Sequence, residues 1–298
     1  MKYIHPLRWW NKCKDFANSL QYWVIPDKVF LGWEYKRRHG KTMHLDPPVT
    51  INEKMQWIKL YDRKPIYHKM IDKIAAKEYI AEKVGDEYNI PLLGTWSRFE
   101  DIDFDQLPRS FVLKCNHDNS SWILVHDKSQ LDKEKAKDKL NEALHHDFYH
   151  CGYKEWGYKG IKPMIMAEEF LQEDKLECQV FCNNGQPVLF LVRSDLGDAK
   201  DGFAVCYSTD WKKLDYRVKK YPDVNLPKPV NYEKMLDLAH KLAKDTLHVR
   251  VDFYEMSDGR LFVGEMTFYS HGGDFSNFTE EGCKFFTDTL KLPLNSLK

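Results

Sequence analysis

Two short segments near the C-terminal end bring together side chains able to manage a charged ligand: Arg250-Val251-Asp252-Phe253-Tyr254 and Leu261-Phe262-Val263-Gly264-Glu265-Met266-Thr267. Both read as strands, flanking the turn Ser257-Asp258-Gly259. Side chains alternate along a strand, so Arg250, Asp252 and Tyr254 share one face, and Glu265 and Thr267 share a face of the next strand. Burying acids and a cation together is costly unless another charge sits between them. Two carboxylates can ligate a hard divalent cation, with Arg250 holding an anionic ligand that the metal also touches. An exposed hairpin with a solvated charged face fits the same pattern, and spacing alone leaves both readings open.

Other reactive types carry less. The seven cysteines (13, 115, 151, 178, 182, 206 and 283) contain no CxxC pair and no zinc spacing, which points to reduced structural thiols. Cys178 and Cys182 flank Val180 in an alternating stretch and read as small apolar residues on one strand face. His146 and His150 stand at helical metal spacing without a supporting acid and read as a solvated pair. Arg193 and Asp195 stand at a strand end.

The elements that must position these residues follow from hydrophobic period and turn chemistry. Residues 52–84 read as helical, with Met70, Ile71, Ile74 and Ala75 as the apolar stripe and Gly85 as the cap. Short strands are expected at 90–94, 110–116 and 122–126, the last two a hairpin around His117 to Ser121. Ala136, Leu140, Leu144 and Phe148 place a helix over 131–149, and a strand follows Pro163. Asn183-Asn184-Gly185 between apolar runs at 176–182 and 187–193 is a hairpin turn, and Asn231 is expected to cap a helix with the stripe Met235, Leu238, Ala239 and Leu242.

With 298 residues, 43 % hydrophobic and 30 % charged, the chain has a globular composition and enough length for one large or two smaller cores. Equal numbers of basic and acidic residues, 45 each, argue against a general nucleic-acid binder. Charge is nonetheless uneven: residues 1–50 carry nine basic and four acidic side chains. This aromatic-rich segment ends at Pro47-Pro48 and reads as an amphipathic cover on the main body, with peripheral membrane contact by residues 1–41 as the other possibility. No apolar run reaches the roughly 20 residues of a bilayer-spanning helix, and the first residues lack a signal-peptide core, so a cytoplasmic protein is expected.

Taken in order, these segments resemble the ATP-grasp superfamily: Asp72-Lys73 on a helix, Phe111-Val112-Leu113-Lys114 before a small-residue loop, Met166 to Leu171 as a hinge strand, and Arg250-x-Asp252 followed by Gly264-Glu265-x-Thr267 and Ser270-His271-Gly272-Gly273. More narrowly, Glu53 to Asp62, Leu113 to Asp118, Glu155-Trp156 before Ile161-Lys162-Pro163, and Gly264 to Phe268 resemble the TupA-like ATP-grasp proteins of bacterial surface-polysaccharide gene clusters. The resemblance runs from about Pro48 to the C-terminus.

It implies an α/β (α+β) ATP-grasp fold with nucleotide held between two small α+β subdomains. The implied division is a basic aromatic-rich segment (1–49), an N-terminal ATP-grasp subdomain (50–108), a central lid subdomain (109–170) and a C-terminal subdomain carrying the metal site (171–298). ATP and Mg²⁺ would be the cofactors. Lys73 and Lys114 would meet the phosphates, the loop with Asn119, Ser120 and Ser121 would fold over them, and adenine would lie against Phe170, on the hinge formed by Glu168, Glu169, Phe170 and Leu171. Glu177 would hold the ribose, with Asp174 as a competitor; Asp252, Glu265 and Thr267 would hold Mg²⁺; Arg250 would meet the transferred group; Arg193 and His271 would contact substrate. Thr267 stands where most of the superfamily has Asn, and the lid lacks the usual glycines.

The implied activity is an ADP-forming carboxylate-amine ligase working through an acyl phosphate. Its substrates would be a uronic acid, possibly nucleotide-linked, and an amino acid or amine, in polysaccharide biosynthesis. A nucleotide-binding module without turnover and a sugar kinase are the other readings. The oligomeric state is open.

Overall fold

The computed structural model describes residues 24–171, 176–194, 203–217 and 224–294. Helix α1, Asp27–His39, carries Lys36, Arg37, Arg38 and His39 in its last turn, where positive charge complements the helix dipole. It stops at Gly40, whose φ of 67° lets its N–H bond the Lys36 carbonyl. A capping box opens α2, Ile51–Tyr61: Thr50 Oγ1 accepts the Glu53 N–H and the Glu53 carboxylate accepts the Thr50 N–H.

The helical stretch expected as continuous over 52–84 is instead three helices, α2, α3 (Ile66–Ile71) and α4 (Ala75–Lys83). At the second break Asp72 Oδ1 accepts from the Ile74 N–H at 2.9 Å and from Asn116 Nδ2 at 2.9 Å, and the Lys73 N–H donates to Asn116 O at 3.0 Å. Such side-chain bonds compete with the helical ladder. Lys73 therefore stands on a break tied to a distant loop, and the expectation that it sits on a helix is corrected. Gly85 does close α4, its N–H reaching the Ile80 and Ala81 carbonyls.

Two antiparallel sheets carry the rest. The first has the order β1-β4-β2-β3, with β1 Leu92–Trp96, β2 Phe111–Cys115, β3 Ile123–Val125 and β4 Ile165–Glu169. Alternation sends Phe111, Leu113, Cys115, Ile165 and Ala167 into a core with Ala136 and Leu140 of α5, Lys133–Leu144. Val112, Lys114, Met166 and Glu168 are left on the opposite face. The expected helix over 131–149 ends at Leu144, because Asp147 caps a separate turn, α6, Phe148–Cys151.

The second sheet has the order β10-β9-β5-β6-β7-β8, from β5 Leu176–Asn183, β6 Gln186–Ser194, β7 Phe203–Tyr207, β8 Lys213–Leu214, β9 His248–Glu255 and β10 Leu261–Thr267. Asn184 and Gly185, at φ 50° and 76°, form the turn between β5 and β6. Helix α7, Tyr232–Ala243, buries Met235, Leu238, Ala239 and Leu242 in the core shared with Cys178, Val180 and Cys182. Asn231 does not cap it with its side chain as expected: Nδ2 donates instead to Gly259 O at 3.1 Å. Helix α8, Glu280–Thr289, opens on Thr279 and buries Phe286 against Phe181 and Phe275. Helices α2 to α4 share the core of this second sheet. Among the described residues no helix is long and apolar enough to cross a membrane.

Candidate active site

Rows of paired residues cross the second sheet on the face turned away from α7: Thr267, Arg250 and Phe181; Glu265, Asp252 and Gln179; Phe262, Tyr254 and Glu177. Strict alternation would put Phe262 and Glu265 on opposite faces of β10. A bulge between Val263 and Glu265 restores them to one face. Gly264 sits in it, and a methyl group there would lie 2.7 Å from the Tyr254 ring.

Arg250 and Asp252 are buried, 8 % and 3 % exposed, which rules out the solvated-hairpin reading. The guanidinium forks onto Asp252, Nε to Oδ1 at 2.6 Å and Nη2 to Oδ2 at 2.5 Å. Nη2 also reaches Glu265 Oε1 and Thr267 Oγ1, each at 3.2 Å, and Thr267 donates to Glu265 Oε1 at 2.9 Å. Burial raises the Asp252 carboxyl to about 7 in spite of the guanidinium. Burial acts the same way on Glu265, but there Lys73, Arg250 and the Thr267 hydroxyl outweigh it and hold the carboxyl below its ordinary value.

A cationic wall faces this one. Glu168 on β4 is buried and ion-paired to Lys77 of α4 at 2.7 Å and to Lys114 of β2. Lys73 donates to the Asp118 carbonyl. Burial pushes Lys73 and Lys77 down in spite of nearby carboxylates, and Glu168 is held low because the two lysines beside it outweigh its burial. Lys73, Lys77 and Glu168 line one narrow crevice together with Gly264, Glu265 and Thr267.

In the loop after β2, the Ser121 hydroxyl donates to Asp118 Oδ1 and accepts the Cys115 N–H, both at 2.7 Å, so it holds the loop's shape. Asn119 and Ser120 are exposed at the tip. After β4, the Glu169 N–H donates to Pro91 O at 3.0 Å, Phe170 meets the His126 ring edge-on at 4.9 Å, and Leu171 packs with Ile90, Met256 and Phe262. Glu177 accepts from Gln179 at 2.9 Å and lies 3.7 Å from Arg193 Nε. Asp174 and Asp195 lie outside the described residues.

From Arg250, Glu265 and Thr267 an open cleft of about 730 Å³ runs to the C-terminal end of α1, past Glu155, His271 and Arg38. Between the two sheets lies a narrow seam in which Lys73, Lys77 and Glu168 meet Glu265 and Thr267. The family model of TupA-like ATPgrasp proteins matches residues 53–287. The chain belongs to this family. Among solved structures, an L-amino acid ligase from Bacillus licheniformis is similar with a TM-score of 0.52 at 14 % identity, covering 91 % of this chain and 61 % of that one. A D-alanine–D-alanine ligase from Bacillus anthracis complexed with ATP has a TM-score of 0.43 at 15 % identity, covering 83 % and 70 %. The TupA-like chain thus spans about three fifths of the first of these and seven tenths of the second. No curated protein sequence matches it.

The donor set of this TupA-like protein suits magnesium. Asp252, Glu265 and Thr267 offer hard oxygens, and two carboxylates suffice for Mg²⁺ when phosphates and water complete its shell. Among the described residues no larger His, Cys, Asp and Glu cluster competes for a metal. His150 instead pairs with Asp147 at 2.8 Å. Cys115, Cys178, Cys182 and Cys206 are buried free thiols, and burial pushes Cys115 up to about 11 and Cys206 up to about 12, as inert packing residues. Sequence reasoning missed Lys77, which stands in the first turn of α4, just after the break that carries Lys73, and gave Glu155 no role of its own.

Proposed function

We propose that this protein is an ATP- and Mg²⁺-dependent carboxylate-amine ligase. The observation that carries the reading is the meeting of two oppositely charged walls, Lys73, Lys77 and Lys114 around Glu168 on one side and Asp252 with Glu265 on the other. A triphosphate is the ligand whose charge needs both, since lysines neutralise its oxygens while acids hold its metal. Mg²⁺ bound by Asp252, Glu265 and Thr267 would neutralise charge developing on the transferred phosphoryl group.

Adenine lies along Phe170 and Leu171, with the backbone at Glu169 and Leu171 reading its edge and Glu177 holding the ribose. Lys73 and Lys114 meet the phosphates, and the loop with Asn119 and Ser120 covers them. Arg250 orients the carboxylate that receives the γ-phosphoryl group. A free carboxylate is a poor electrophile, and the acyl phosphate made from it is a good one. Excluding water from the seam protects that intermediate until an amine attacks.

The acid, on the family resemblance, is a uronic acid, free or nucleotide-linked, and the amine an amino acid or amino alcohol, in cytoplasmic steps of bacterial surface-polysaccharide assembly. Arg193, beside Glu177, and His271, in the cleft wall, are the proposed substrate contacts. The proposed four-part division, with boundaries at 49, 108 and 170, assigns Lys114 to the lid and the metal site to the C-terminal part, although β1 before residue 108 pairs into the same sheet as β2 to β4. Any membrane contact by residues 1–41 falls mainly on residues outside the described ones.

Hydroxylamine traps an acyl phosphate without needing amine recognition. Enzyme, MgATP and a uronic acid should yield a hydroxamate, and Lys114→Met should lower both hydroxamate and amide formation by ~10²–10³. ADP appearing with a stable sugar phosphomonoester and no hydroxamate would mean kinase chemistry instead, and no ADP with any acid would mean a binding module.

A further inference from the structure

Glu34, Arg37, Arg38, Glu155 and Asp274 line the wide cleft and have no part in the nucleotide chemistry; Glu155 differs from the others in its pairing. Glu155 is 7 % exposed and lines the same cleft as Arg250, Glu265 and Thr267, yet its carboxylate takes no hydrogen bond or ion pair among the described residues. Buried carboxylates are ordinarily paired. Its charged neighbours are engaged elsewhere: Lys59 donates to Gly272 O at 2.6 Å, and Arg38 lies 3.9 Å over the Tyr153 ring and 3.6 Å from Asp274. The phenols of Tyr158 and Tyr269 also feel its charge, and Glu34, Arg37, Asp274 and His271 line the same cleft. Lys59 and Arg38 pull on this carboxylate through space, but the bonds described for them go to other acceptors, so Glu155 keeps its hydrogen-bonding capacity for a cation that the cleft admits.

We propose that Glu155 receives the ammonium group of the incoming amine and takes its proton. With the nucleotide in the seam, the acid and the amine share the wide cleft, and Glu155 stands in its wall. A carboxylate only accepts hydrogen bonds, which selects a primary ammonium over a carboxylate or phosphate. One ammonium proton passes to Glu155, freeing the nitrogen lone pair. That pair forms the C–N bond at the acyl carbon, the C–O bond to phosphorus breaks, and its electrons leave on phosphate. A second proton leaves the nitrogen and ends on phosphate, while Glu155 returns the first to solvent. Burial raises the carboxyl above its ordinary value against the pull of Lys59 and Arg38, which makes it a stronger base than an exposed glutamate. The proton-transfer step rests on the ligase reading; ammonium binding does not.

Both parts are testable on the full chain. In protein carrying ¹³C-carboxyl glutamate, the resonance missing from Glu155→Gln reports this residue, and its titration midpoint should move to lower pH when ethanolamine replaces sodium chloride at equal ionic strength. A midpoint that does not move overturns the proposal, whatever the enzyme does. In turnover with a uronic acid, hydroxylamine is already neutral near pH 7, whereas ethanolamine must lose a proton. Glu155→Gln, which preserves shape, should leave hydroxamate formation within about twofold and lower amide formation by ~10². Equal losses with both nucleophiles, or none with either, would overturn the proton-accepting role. If the unaltered chain forms no hydroxamate, the ligase reading fails, and the resonance still decides the ammonium site.

Discussion

Arg250 and Asp252 show how much of the site's chemistry is settled by single charges. Each neutralises the other in a place where neither would be tolerated alone. Glu265 is different, because 39 % of its side chain is exposed and water can compensate for changes there. The two carboxylates should therefore separate on substitution. Asp252→Asn strips Arg250 of its forked partner and should lower unfolding free energy by about 3–5 kcal/mol in urea titrations, besides removing turnover. Glu265→Gln should stay within about 1 kcal/mol of the parent protein and still lose ADP release. Equal stability losses would mean that Arg250 leans on both acids alike.

At the scale of elements, the bulge in β10 is what places Phe262, Glu265 and Thr267 on one face, and Gly264 makes room in it for the Tyr254 ring. Gly264→Ala should cost about 1–3 kcal/mol by overpacking, and adding Tyr254→Ala should recover part of that loss. Additive losses in the two variants would show that the ring is not the obstacle. The sequence showed the Asp258-Gly259 turn and the alternation of β9, but alternation alone has no way to reveal an inserted residue. The hairpins at 183–186 and 111–125 were equally legible, since their turns carry local signals. The breaks in the helical stretch at Asp72 and in the 131–149 segment at His145 were not. Asp72 is held by Asn116, 44 residues away, and no local period records such a bond. Lys77 was hidden for a related reason: its meaning comes from Glu168 on another element.

Across the whole molecule, Glu168 ties α4, which packs with the second sheet's core, to β2 and β4 of the first sheet. Its carboxyl is held below the ordinary value of 4.5, burial being outweighed by Lys114 and Lys77. A lowered carboxyl contributes its stability in full above that ordinary value and loses it as pH falls through the folded-state value. Urea midpoints should accordingly drop as pH falls below the ordinary glutamate value in the parent protein, and Glu168→Gln should be less stable at neutrality and show a shallower drop. An unchanged slope would remove Glu168 from the link between the sheets. What the two sheets enclose is, on this account, a place where a carboxylate oxygen becomes bonded to phosphorus. The most direct measurement follows that oxygen: a uronic acid labelled with ¹⁸O in its carboxylate is turned over with MgATP and an amine, and the released phosphate is weighed by mass spectrometry. One labelled oxygen per phosphate is the expected result, because the acyl phosphate leaves with it. Unlabelled phosphate alongside amide, or label retained in full by the sugar product, would contradict the account.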